Sequence, residues 1–364
     1  MARERGDTMT EYVEWEDRVT HALTDLYRSY GYGRYRMEKF EPYELYSEHK
    51  NYLKSSVITF PDSSGRLMAL RPDVTMSVVR AVAPDEELKV YYSENVFRQE
   101  RDTQEYREIR QIGLEYIGGE TGYPEAETLL LAARSLECIG GPFALCISNM
   151  DLVATMTAGH TQDPEVMKRV LQAIRRRRPH TLKDLPVPED IREKLRTLVT
   201  LPGRAEDAVA ALRRMDDGSL TPPIDELETV TGVLEEAGFG EQIRVDFSIL
   251  NDTDYYNGIS FAGYMDGVPK AVLSGGRYDS LMHRFGKPQG GIGFAVYLGE
   301  LERRLRTRPE TDADILLVCG SAPVSEILSA VRKLTEEGYT VRACRQAPEG
   351  FAAGRVIRLE EVAE

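Results

Sequence analysis

The stretch NVFRQERDTQEYREIRQIGLEYIG, residues 95–118, sets a dense run of charged side chains between two segments that otherwise read as β-strands. Alternate side chains of a strand share a face, so Arg98 and Glu100 point one way on the incoming strand. On the return strand Gln111, Gly113 and Glu115 share one face, while Ile112, Leu114 and Tyr116 share the other. The second set suits a core. The first set has three destinations open to it: solvent with cross-strand ion pairs, an oligomer interface, or the lining of a binding site. A chain built around this hairpin folds as a sheet with one face packed and the other put to a separate use.

Flanking segments supply the layers. Val19, Ala22, Leu23, Leu26, Tyr27 and Tyr30 recur at helical spacing, and Gly31 follows where a C-terminal cap belongs. Residues 88–98 read as the strand entering the hairpin, and after Pro124 a helix runs to the Gly140-Gly141 break. Strand, hairpin, strand and helix predict an α+β fold, an antiparallel sheet flanked by helices. From 163 to 240 the sequence turns charged and helix-favouring, interrupted by LPVPED and LTPPID, which predicts a helical insertion. Sheet character returns from 242 to 297. There Gly275-Gly276 and Gly290-Gly291 remove side chains where backbone or ligand approaches closely, or where a turn needs positive φ. Beyond a charged linker, DILLVC, a helical APVSEILSAVRKLTEEG and YTVRAC predict one small β-α-β unit. The expected domains are a core of 1–162 with 241–308, an insertion of 163–240, and a C-terminal unit of 309–364.

Charge narrows the function. With 46 basic against 60 acidic residues the chain carries a formal net charge of −14, which argues against a mainly electrostatic nucleic-acid binder. The run Arg175, Arg176, Arg177 and Arg178 reads as a solvated helix end rather than a nucleic-acid patch. Cys138, Cys146, Cys319 and Cys344 show neither paired nor metal-ligand spacing, so reduced thiols are expected, with no zinc site and no disulfide framework. The charged amino-terminal segment lacks a signal-like apolar stretch, and no apolar run is long enough to span a bilayer, which predicts a soluble intracellular protein.

Four segments taken in order resemble the catalytic core of the histidyl-tRNA synthetase branch of the class II synthetases, over roughly residues 8–305. They are ALRPDVT (69–75), FRQER with YREIRQIGLE (97–115), DYYNGISF (254–261) and SGGRYD (274–279). The resemblance implies that the polar hairpin face is the floor of an aminoacyl-adenylate site. Its amino-acid half would comprise Asp73, Thr75, Gln111, Glu115, Tyr255, Tyr256 and Gly275, with Arg98 retained from the second signature motif. Glu115 or Asp73 can neutralise a cation, and Gln111 can both accept and donate. The family usually has glutamate where Asp73 stands.

The ATP half departs from the family. Asn251 and Glu300 occupy positions where phosphate-binding arginines belong, the chain reading GFAVYLGEL in place of GFAxGxER. Glu105 stands where a basic residue is expected, and Ile109 replaces the aromatic that would stack on adenine. Each lost phosphate contact costs a factor of about 10² to 10³ in rate, and Glu300 is expected to repel a triphosphate. Glu38 replaces the first-motif proline, and the C-terminal unit is short for an anticodon-binding domain.

A synthetase-like chain that keeps an amino-acid pocket while losing ATP chemistry and tRNA reading resembles the regulatory subunits of ATP phosphoribosyltransferase, a paralogous family. The resemblance implies a cytoplasmic protein with no catalysis, cofactor or metal of its own. The implied partners are the short-form catalytic subunit, which it activates in the first step of histidine biosynthesis, and a second copy of itself, within a hetero-octamer. Histidine is implied as an effector in feedback inhibition. Two other readings stay open on these residues: a divergent active histidine–tRNA ligase, and a stand-alone histidine-sensing paralogue.

Overall fold

The computed structural model describes residues 2–47, 57–99, 104–120, 122–158, 160–161, 163–201, 203–249, 256–301, 313–348 and 350–362, with side chains from Trp15 onward. The chain opens with α1 (Ala2–Ser29), β1 (Gly33–Arg34), β2 (Phe40–Pro42), α2 (Glu44–Ser47), β3 (Thr59–Pro61), β4 (Leu67–Leu70) and α3 (Thr75–Ala81). The hairpin β5 (Leu88–Gln99) and β6 (Tyr106–Ile117) follows, then α4 (Tyr123–Ile139), β7 (Phe143–Asn149) and α5 (Met150–Thr157). Four helices come next: α6 (Pro164–Arg175), α7 (Glu189–Thr200), α8 (Ala205–Met215) and α9 (Thr221–Glu236). The chain returns through β8 (Ile243–Val245), β9 (Ile259–Met265), β10 (Leu273–Arg277), α10 (Asp279–Arg284) and β11 (Gly291–Tyr297). It closes with β12 (Ala313–Val318), α11 (Val324–Glu336), β13 (Val341–Cys344) and β14 (Ala353–Arg358). Two compact units result: Trp15–Arg304, and Leu305–Glu364 with Met1–Glu14.

The large unit is built on an eight-stranded sheet in the order β1-β5-β6-β11-β10-β9-β7-β8. Its inner pairs are antiparallel, and only the edge pairs β1/β5 and β7/β8 are parallel. In the hairpin Glu94 lies opposite Gln111, Tyr92 opposite Gly113 and Val90 opposite Glu115. One sheet face carries Tyr91, Leu114, Phe261 and Phe294. Tyr27 of α1 packs there with ring centroids 6.3 Å from Tyr91 and 6.0 Å from Phe294. Tyr27 OH in turn meets Ser135 Oγ of α4 at 2.9 Å. Gly31, at φ +84, ends α1 in the left-handed conformation a glycine adopts without strain.

The second face is not solvated. Val90, Tyr92 and Val96 of β5 enter a hydrophobic cluster with Met76, Val78 and Val79 of α3, Tyr46 of α2, and Leu281 and Met282 of α10. The solvent destination open to the hairpin's polar face is thereby excluded for Gln111 and Glu115, which are 4% and 1% exposed.

Residues 163–240 hold α6 to α9, each burying an apolar stripe such as Val166, Val170 and Ile174 of α6. Asp163 caps α6, accepting from Glu165 N at 2.9 Å, and Pro164 opens the first turn. The arginine run falls at the carboxyl end of α6, where cations complement the helix dipole. There Arg177 pairs with Asp246 at 2.6 Å. These helices share one compact unit with the sheet.

The small unit differs from the single β-α-β expected. Its sheet has three parallel strands in the order β13-β12-β14, the additional strand β14 pairing with β12. Helix α11 packs Ala330 and Leu334 on Ile315 and Leu317 of β12. The strand β14 escaped the sequence reading because it is an edge, with Arg355, Val356 and Arg358 all exposed, so no burial alternation marks it. Among the described residues, no helix is long and apolar enough to cross a membrane.

Candidate functional site

The site grows from the middle of β6. Glu115 points to the second sheet face, where its neighbour on β11 is Gly293. A Cβ at Gly293 would lie 1.9 Å from Glu115 Oε2 and 2.5 Å from Leu114 O, so the missing side chain makes room for the carboxyl group. Two hydroxyls reach it from above: Thr75 Oγ1 donates at 2.6 Å and Tyr278 OH at 2.7 Å. Thr75 opens α3 and Tyr278 immediately precedes α10, so the starts of two helices converge over the strand.

Arg71, fully buried at the end of β4, anchors the segment leading to Thr75. It donates to Glu94 at 2.9 Å, Asn95 O at 2.8 Å and Glu38 O at 2.9 Å. Asp73 Oδ1 accepts from Met76 N at 3.0 Å, and its other oxygen lies 3.7 Å from the Arg98 guanidinium. Arg98 Nε donates to Pro72 O at 2.8 Å. Gln111 sits between Glu94 on β5 and Tyr297 on β11, and Tyr297 OH meets Ser274 Oγ at 2.9 Å.

The electrostatics follow from burial. Desolvation is the main cause that pushes the Glu115 carboxyl up to about 8. The Thr75 and Tyr278 hydrogen bonds pull it down, and the charge of Asp73 adds to the rise. Burial, and then the neighbouring Glu115, push Tyr92 well above the usual phenol range.

Asp73, Thr75, Arg98, Gln111 and Glu115 therefore come together on or over one sheet face. Tyr256 also lies there, its ring covering Gly276 closely enough that a Cβ on that glycine would fall 2.7 Å from Cδ1. Gly275 does not join them. It pairs with Phe294 and Phe261 on the opposite face, where a Cβ would meet Phe294 Cβ at 2.5 Å and Phe261 Cζ at 2.7 Å. The glycines of the polar face include Gly113, Gly276, Gly291 and Gly293. None of Gly275, Gly276, Gly290 and Gly291 adopts positive φ, so close approach rather than turn geometry accounts for all four. Tyr255 and Asn251 lie outside the described residues.

On the side expected for ATP, Ile109 packs against the hydrophobic cluster beneath α3. Glu105 is exposed and pairs with Arg107 at 3.4 Å. Glu300, in the turn after β11, pairs with Lys270 at 3.3 Å, so its charge is partly compensated at the surface. Tyr92, Tyr278 and Gly293 were missed as site residues. Tyr278 stands within the quoted SGGRYD, whereas only strand register reveals that Gly293 faces Glu115. A separate cleft of about 850 Å³ in the small unit has Glu326, Lys333, Arg358 and Glu360 on its walls, all four exposed and balanced in charge.

An antiparallel sheet flanked by helices, its floor bearing a buried carboxyl under a threonine and a tyrosine from two helix starts, is a class II synthetase-like core. The family model described as histidyl-tRNA synthetase matches residues 6–301. The chain is 31% identical to the ATP phosphoribosyltransferase regulatory subunit of Moorella thermoacetica, over 94% of this chain and 92% of that one. It is 29% identical to the protein of the same name from Bacillus subtilis, over 84% and 81%. A crystal structure of an ATP phosphoribosyltransferase regulatory subunit/histidyl-tRNA synthetase from Bacillus halodurans C shares the fold with a TM-score of 0.77, covering 95% of this chain and 94% of that one at 22% identity. The chain belongs to the histidyl-tRNA synthetase-like family of ATP phosphoribosyltransferase regulatory subunits.

Proposed function

We propose that this chain is the non-catalytic regulatory subunit that activates a short-form ATP phosphoribosyltransferase in the cytoplasm, and that its pocket takes histidine as the feedback effector. The observation that carries this reading is the asymmetry of the site. The amino-acid side is built and buried, with Glu115 held by Thr75 and Tyr278. The nucleotide side would present Ile109, half-buried against the core, and the anions Glu105 and Glu300, paired with Arg107 and Lys270. Phosphoryl charge requires cations aimed at it, and Arg98 is already engaged by Pro72 O and Asp73. Such a pocket binds an amino acid without activating it. Binding reaches the catalytic subunit as a coupling free energy between two sites.

Self-association belongs to the same reading, as a dimer that joins the catalytic subunit in a hetero-octamer. The small sheet β2-β4-β3 supports it, because Phe40 and Leu67 are exposed there and the Phe40 ring stacks edge-on against Phe60 at 5.6 Å. The test is to mix the purified chain with a short-form transferase and measure phosphoribosyl-ATP formation. The expected result is a rate above that of the catalytic subunit alone, lowered again by histidine. Absence of both complex formation and activation would overturn the proposal.

A further inference from the structure

Among the described residues, Glu115 is a carboxyl group buried without a cation beside it. From the segment entering α3 it is faced by Thr75 and by Asp73, itself an acid. From β5 it is faced by Tyr92, and from the start of α10 by Tyr278. On its own strand the same-face neighbours Gln111 and Gly113 are neutral, and on β11 it meets only the backbone of Gly293. The cation associated with this part of the site, Arg98, is turned onto Pro72 O and Asp73. Among the described residues Glu115 makes no ion pair; its side-chain partners are two hydroxyls. An ionised carboxylate removed from water without a counter-charge loses more than two hydroxyl hydrogen bonds return.

We infer that the empty pocket holds Glu115 as the neutral acid, one of its two hydroxyl partners turning to accept the acid proton, and that histidine, on entering, takes this proton onto its imidazole ring. The O–H bond of Glu115 breaks and an N–H bond forms at the unprotonated ring nitrogen. The bound state is then a carboxylate–imidazolium pair, and molecules whose Glu115 was protonated draw no proton from solvent. The inference rests on histidine being the ligand of this pocket. Near neutral pH both free partners are uncharged, since burial holds the Glu115 carboxyl at about 8 and imidazole ordinarily titrates near about 6.5. Transfer is driven by the charge-assisted hydrogen bond and the Coulombic attraction that the pair gains in a dry site. A consequence is selectivity for a ring that can accept a proton, because an aliphatic side chain would leave the acid neutral and unpaired.

Calorimetric titration of histidine into the complex of this chain with its catalytic subunit, in two buffers of different ionisation enthalpy, reads the net protons exchanged. At about pH 7.5 the expected uptake is small, about 0.2 proton, rising to roughly three-quarters of a proton at about pH 8.5, where the empty pocket has begun to ionise. In Glu115→Gln the uptake at the higher pH should vanish. Uptake of about 0.9 proton at about pH 7.5, the value for a carboxylate already ionised when empty, would overturn the transfer while leaving histidine as the ligand. No binding of histidine would overturn the effector reading and the transfer together. A measurement that needs no ligand is the ¹³C titration of glutamate side-chain carboxyls. The resonance absent from Glu115→Gln should titrate near pH 8, and a midpoint near the ordinary value of about 4.3 would sink the neutral acid.

Discussion

Gly293 and Glu115 occupy one site on the sheet floor between them, and each tolerates the other only as it is. A methyl group at Gly293 would overlap the carboxyl oxygen and crowd Leu114 O, so Gly293→Ala should cost about 1–3 kcal/mol, the usual range for overpacking a tight core. Thermal unfolding checks this; an unchanged melting temperature would show that Glu115 moves aside freely. Glu115 also sets a pH dependence. Its folded-state value is raised well above that of an unfolded glutamate, so between about pH 4.5 and pH 8 the folded chain keeps a proton that the unfolded chain releases. Stability from this group is full below that window and is lost as pH rises through it, by up to about 1.4 kcal/mol per pH unit. Glu115→Gln should flatten the slope by that amount in urea unfolding across the window, and parallel curves for the two proteins would contradict it. The alternation of β6 predicted that Gln111 and Glu115 share a face. That Gly276 rather than Gly275 lies on the same face depends on register with β9 and β11, which no local period encodes.

Between elements, Arg277 ties the strand β10 to three helices. Its guanidinium pairs with Asp279 of α10 and Glu226 of α9 at 2.7 Å each, and with Glu125 of α4 at 3.5 Å. Asn149, at the end of β7, also holds Glu226, through a 2.6 Å hydrogen bond. The helices of residues 163–240 are thus joined to the strand that carries Gly276. Removing the one cation would leave three partly buried carboxylates facing each other, so Arg277→Ala should destabilise the large unit by about 3 kcal/mol. Amide exchange should speed up most in α9, and a uniform change across the sheet and α9 would argue against a joint at this residue. Helix periodicity and stop signals such as Gly31 and Gly140-Gly141 made helices legible in the sequence. This joint was not, because the partners of Arg277 lie up to 152 residues from it.

For the molecule as a whole, the proposed combination of an amino-acid pocket with an altered nucleotide side predicts the absence of adenylation. Supplied with histidine and ATP, the purified chain should not catalyse histidine-dependent exchange of label between pyrophosphate and ATP, and exchange at the rate of an ordinary synthetase would overturn its assignment as non-catalytic. The amino-acid sequence by itself determined the helical periods, the strand alternation of the hairpin, the glycine stops and the ordered segments that mark the family. These are properties of neighbours a few residues apart along the chain. Only the tertiary structure decided that Gln111 and Glu115 of the hairpin's polar face are buried, that Arg98 turns onto Asp73, that a third strand completes the small sheet, and that Glu115 has hydroxyls but, among the described residues, no cation beside it. The partners of Glu115 lie 40 and 163 residues away. Burial and ionisation there depend on which distant segments the strand register brings into contact, and that register is set by the packing of the whole sheet rather than by any local run of residues.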